Sequence, residues 1–119
     1  MALTGGSKIS ELILKLTNMN TIDKQKEMWL LSDAYKAKLI NNILFAVSQE
    51  EVTQIIGEAI ASLETIHSKS KTIISFAESV LADIHACNPM KKDAQQWSNI
   101  TLSRVLLNRI RFHFTAEAV

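Results

Sequence analysis

The chain has one cysteine, Cys87, one proline, Pro89, and three glycines in 119 residues. A single cysteine excludes an intramolecular disulfide and any cysteine-based metal cluster, and points to a compartment that is reducing or indifferent to redox. So little glycine and proline leaves few turn signals, and a chain rich in Leu, Ile, Ala, Lys, Ser and Glu/Gln favours helices over sheets. Long apolar runs are missing as well. The best candidate for membrane insertion, Leu39 to Gln49, is eleven residues long and includes Asn41 and Asn42, well short of the roughly 20 that a span needs. Met1 to Ser7 lacks a basic start followed by an apolar run, so no secretory signal peptide is expected. The expected location is cytoplasmic, with export left to a route independent of a signal peptide. The formal net charge of +1 provides no global field to recruit nucleic acid or an anionic membrane.

What is present is a patterned apolar content, 47% of the chain against 21% charged, which predicts a folded protein and a single domain over residues 1–119. Met1 to Gly6 reads as a loose leader. Ile9, Leu12, Ile13 and Leu16 predict a helix over residues 8–19, with Ser7 as its N-cap. Met28, Leu31, Tyr35, Leu39 and Ile43 predict a second helix over 22–47, capped by Thr21 or Asp23, whose stripe Trp29, Leu30 and Leu44 widen. Ser48-Gln49-Glu50-Glu51 has the Ser-x-x-Glu form of a capping box, with two acids suited to the positive end of a helix.

From that boundary Val52, Ile56, Ala59, Leu63, Ile66, Ser70, Ile73, Ala77, Val80 and Ile84 alternate in steps of four and three without interruption. The pattern predicts a coiled-coil-like seam on one helix over 49–87. Asn88-Pro89 ends it, and a last helix over 89–117 carries Ile100, Leu107, Ile110 and Phe114, with Ser103 as the polar exception. Trp97, Leu102, Val105, Leu106 and Phe112 broaden that face. The expected fold is an all-α antiparallel bundle of four helices with a long coiled-coil-like hairpin. It becomes five helices if the long one breaks at the polar run His67-Ser68-Lys69-Ser70-Lys71.

Length bears on that choice. Forty residues of helix span roughly 60 Å, whereas a compact domain of this size is about 35 to 40 Å across, so a straight long helix implies an elongated molecule. The seam crosses the polar run without a phase change, which favours a continuous helix. Charge suggests what packs on it: between Val47 and Cys87 six acids face Lys69 and Lys71, while between Asn88 and Phe114 Lys91, Lys92, Arg104, Arg109 and Arg111 face Asp93. A hairpin of the two is electrostatically matched, although each exposed pair would contribute at most about 1 kcal/mol. Gly57 and Ala61, one turn apart, suit either a close helix crossing or a merely tolerated glycine.

Few residues suggest chemistry. Glu64-Thr65-Ile66-His67 has the Glu-x-x-His spacing of bundle di-iron sites, but those need a second such pair and two more glutamates, so a solvated face is expected. His85 and Cys87, two residues apart, point to different sides of a helix. No phosphate loop, zinc pattern or Ser/His/Asp arrangement can be assembled, and no cofactor or metal is expected. Arg104, Asn108 and Arg111 form a polar stripe, with Lys91 and Lys92 upstream, that could meet phosphates; a bundle's solvated edge looks the same. Asn99-Ile100-Thr101 matches a glycosylation sequon but lies inside a predicted helix. Trp29, Trp97, Phe112 and Phe114 belong to the core unless several prove exposed, in which case they mark a partner site.

A short N-terminal amphipathic helix, a Ser/Ala-rich long helix and a last helix opening Ala94-Gln95-Gln96-Trp97-Ser98-Asn99-Ile100-Thr101-Leu102 together resemble helical filament and tip components of bacterial type III secretion systems. The likeness covers about a third of the chain, and the long central insertion common in such proteins is missing. It implies export and self-assembly, and transfers no functional residue. The residues themselves lead to a non-enzymatic helical interaction module, an assembly subunit, chaperone, inhibitor, adaptor or regulator. Its expected working surface is the seam Ile56, Leu63, Ile66, Ile73, Ile100, Leu107, Ile110 and Phe114, pairing with a protein partner or with itself as a homodimer. The alternative is a small nucleic-acid-binding regulator using Arg104 and Arg111 for anion contact.

Overall fold

A computed structural model describes residues 23–118. The expected leader over 1–6 and helix over 8–19 lie outside the described residues. Among the described residues there are five α-helices: α1 over 23–30, α2 Asp33–Leu44, α3 Gln49–Thr65, α4 Ser70–His85 and α5 Ala94–Ala118, with a 3-10 turn Pro89–Lys91 before the last. The described residues contain no strand, and the all-α bundle expected from composition is the fold. No helix among them is long and apolar enough to cross a membrane.

Each boundary has a local cause. The helix expected over 22–47 divides at Leu31–Ser32, because Ser32 caps a new helix: its Oγ accepts from the Tyr35 amide at 3.2 Å and donates to the Trp29 carbonyl at 2.6 Å. A serine hydroxyl that satisfies backbone groups in this way competes with helix continuation. At Ser48 the expected cap forms, with Oγ accepting from the Glu51 amide at 3.1 Å, while the Glu51 carboxylate accepts from Val47 rather than from Ser48. The last helix starts at Ala94, later than the expected residue 89. Pro89 opens only one 3-10 turn, and the true cap is a reciprocal Asp93–Gln96 pair: Asp93 Oδ1 accepts from the Gln96 amide at 2.8 Å, and Gln96 Oε1 accepts from the Asp93 amide at 3.1 Å.

The expected continuous helix over 49–87 is also divided. The Ser68 amide donates to the Leu63 carbonyl and the His67 amide to that of Glu64, both at 3.0 Å, with His67 in the left-handed region at φ 57°. This is a Schellman closure, which satisfies the last carbonyls of α3. Yet the seam keeps facing inward on both sides of the break: Val52, Ile56, Ala59, Leu63, Ile66, Ile73, Ala77, Val80 and Ile84 are all buried. Ser70, its polar member, is the first residue of α4.

Side-chain neighbours fix the directions. Lys36 of α2 meets Ser79 and Asp83 of α4, and further on Leu44 shares a groove with Ala86, so α2 and α4 run in parallel. Leu30 lies beside Ile66, and Leu102 of α5 beside Gln49. Hence α3 and α5 run the opposite way. The hub is α5, which packs most extensively on α4 and also on α3 and α2, whereas α3 and α4 touch each other little. The α4–α5 hairpin forms, and the expected charge match is carried by no direct ion pair: among the described residues no cation of α5 lies within 4.0 Å of a carboxylate on α3 or α4. Apolar burial holds it, as the seam leads one to expect, through Ile73, Ile84, Ile100, Leu107 and Phe114. Gly57 is exposed, and a Cβ there would meet nothing within 4 Å, so it is a tolerated glycine rather than a helix crossing.

Candidate interaction surface

The break at Ser32 re-phases the chain ahead of it. In one unbroken helix Met28 and Leu31 would share the inward stripe with Tyr35 and Leu39; instead Leu30 turns inward while Met28, Trp29 and Leu31 are 73%, 51% and 42% exposed. The Trp29 ring packs edge-on against Tyr35 at 5.9 Å between centroids, and Tyr35 in turn lies 6.5 Å from Phe76. Such contact fixes the orientation of a half-exposed indole without covering it. Burial, and then the nearby Glu58 carboxylate, raise the Tyr35 pKa above its ordinary value of 10.0.

Two open grooves flank these residues. One, of about 580 Å³, lies between α1 and α3 and is lined by Lys26, Trp29, Glu58, Ala61, Ser62 and Thr65. The other, of about 410 Å³, lies between α2 and α4 and is lined by Leu31, Lys36, Thr72, Ser75, Phe76 and Ser79. Small side chains along both walls leave room for a helix backbone to approach, and aromatic anchors at the centre are what binding surfaces concentrate their energy on. Lys36 is not free for ligands, because Ser79 Oγ at 2.9 Å and Asp83 at 3.3 Å already hold it.

The surface expected from sequence lies elsewhere. Ile56, Leu63, Ile66, Ile73, Ile100, Leu107 and Phe114 are buried in the chain's own core, and Ile110 is half buried against it. The two bends at Ser32 and His67 let a chain of this length cover its own seam. Arg104 is half buried with no hydrogen-bond partner for its Nε, whereas Arg111 and Asn108 are exposed further along α5. Trp97 is half buried and Phe114 buried, while Phe112 is exposed like Trp29.

His67 falls beyond the end of α3, so it shares no helix face with Glu64. Cys87 sits past the end of α4, half buried, its Sγ directed at the Asp83 carbonyl at 3.6 Å. Among the described residues no group of three or more His, Cys, Asp or Glu could hold a metal ion. Asn99 of the sequon is 1% exposed. It is a structural residue that pattern reading missed: Nδ2 donates to the Ala46 carbonyl at 2.8 Å and to that of Leu44 at 3.4 Å, tying α5 to the end of α2. Comparison of the chain with known protein families, with characterised proteins and with solved structures finds no match.

Proposed function

We propose that this protein is a non-enzymatic helical interaction module, and that its working surface is the α1–α2 joint with the two grooves beside it. The observation that carries the reading is the exposure of Met28, Trp29 and Leu31 as neighbours, in a chain that buries its long apolar seam internally. Contiguous exposed apolar residues with a fixed aromatic at their centre mark a site for a partner. The partner that fits is an amphipathic helix, laid into a groove walled by Ala61, Ser62 and Thr65. A cytoplasmic chaperone, adaptor or regulator would use such a surface, and so would an exported secretion-system component, the setting suggested by the Ala94–Leu102 resemblance. The nucleic-acid alternative rests on Arg111, since Arg104 is half buried.

The test is co-purification from the source cells with the wild-type chain and with a Trp29→Glu/Leu31→Glu variant, each analysed by native mass spectrometry. A partner at fixed stoichiometry should accompany the wild type and be lost from a variant whose helical circular dichroism is unchanged. If the same partner stays bound to the variant, or if only nucleic acid accompanies both chains, the surface is misassigned.

A further inference from the structure

We propose that the chain also associates with a second copy of itself by domain swapping. In this dimer the turn over 66–69 opens, α3 and α4 join into one helix, and each α4–α5 hairpin docks on α1–α3 of the other copy. The turn itself argues for this. It contains neither glycine nor proline, and it closes only by holding His67 at φ 57°, a conformation that side-chain-bearing residues enter at a cost. The new helix then starts without a side-chain cap on Lys69, and the amides of Lys69, Ser70 and Lys71 have no backbone acceptor. In a continuous helix they would donate to Thr65, Ile66 and His67, four residues back in each case.

Register and packing allow the opened form. Seam positions Ile66, Ser70 and Ile73 keep the four-three step across the turn, so the joined helix, roughly 55 Å long, would present one uninterrupted apolar face. Opening removes little direct contact between α3 and α4, because both pack on α5 rather than on each other. The contacts of α5 with α2 and α3, and the Lys36–Asp83 ion pair, are all re-formed between copies. A swap of this kind reuses existing complementarity, which makes it a low-cost route to a dimer. What holds the monomer closed is the Schellman pair of backbone bonds and one side-chain bond, from Ser68 Oγ to Glu27 Oε2 at 2.6 Å.

The experiment is size-exclusion chromatography with light scattering on the full chain over a range of concentrations, followed by hydrogen exchange on each peak. The expected result is a monomer and a slowly interconverting dimer, with the amides of Lys69, Ser70 and Lys71 exchanging at least about tenfold more slowly in the dimer. His67→Gly relieves the strained turn and weakens the joined helix, so the dimerisation constant should fall by about tenfold per hinge. Ser68→Ala, which removes only the bond to Glu27, should raise the dimer share, as should His67→Ala. The proposal is overturned if wild type and the folded Ser68→Ala chain are both strictly monomeric, or if a dimer leaves those three amides as fast as in the monomer.

Discussion

Asn99 is the buried polar side chain that ties α5 to the end of α2. Its Nδ2 satisfies the carbonyls at the end of α2 and its Oδ1 accepts from Gln95 Nε2 at 2.9 Å. Asn99→Ala would leave the buried Ala46 carbonyl unpaired and should cost about 2 kcal/mol, measured by urea unfolding. Tyr35 gives a second residue-scale prediction. It is the only tyrosine, and its pKa is raised by burial and by Glu58, so absorbance titration should give a midpoint above 10.0. The folded state then holds the phenolic proton more tightly than the unfolded state. The stabilisation this provides is complete below the unfolded pKa and is lost as pH rises through the folded one. Tyr35→Phe should remove that part of the alkaline decline.

At the scale of elements, most of the fold was legible in the sequence because its signals are local. Ser48-x-x-Glu51 marked the start of α3, and the four-three seam named most of the buried residues of α3 and α4, leaving out Ile60, Phe76 and Leu81 on its flanks. Asp93-x-x-Gln96 carried an equally local signal that Pro89 masked. The break at Ser32 was not legible, since no glycine or proline announces it and a serine hydroxyl sets it locally. The polar run from His67 marks a candidate break in the sequence, but the unbroken seam across it argues for continuity, and a Schellman closure at His67 decides against that. The outward turn of Leu31 was hidden along with the break in helical phase at Ser32, whereas Trp29 is among the aromatics that the sequence offers as partner-site residues if exposed. Gly57 permits a test at this scale. Exposed and unencumbered in the middle of α3, it should give way to alanine with a gain of about 1 kcal/mol, read as a rise in melting temperature.

For the whole molecule, the division between covered seam and exposed joint predicts two kinds of variant. Leu107→Ala empties a fully buried position on the hub helix and should cost about 2 to 5 kcal/mol. Trp29→Ser gives up an edge-on ring contact and some half-exposed area, and should cost about 1 kcal/mol. Thermal unfolding of the two side by side separates a residue that holds the bundle together from one that the bundle displays.

The central place of α5 also sets an order of events during synthesis. Residues 94–118 are the last of the described elements to leave the ribosome, yet α2, α3 and α4 find most of their shared packing on them. Until α5 emerges, the seam of α3 and α4 has little to cover it, and the nascent chain presents an apolar surface to whatever is nearby. Nascent chains halted before Ala94 should therefore remain protease-sensitive, and resistance should arrive in one step once the final helix is free.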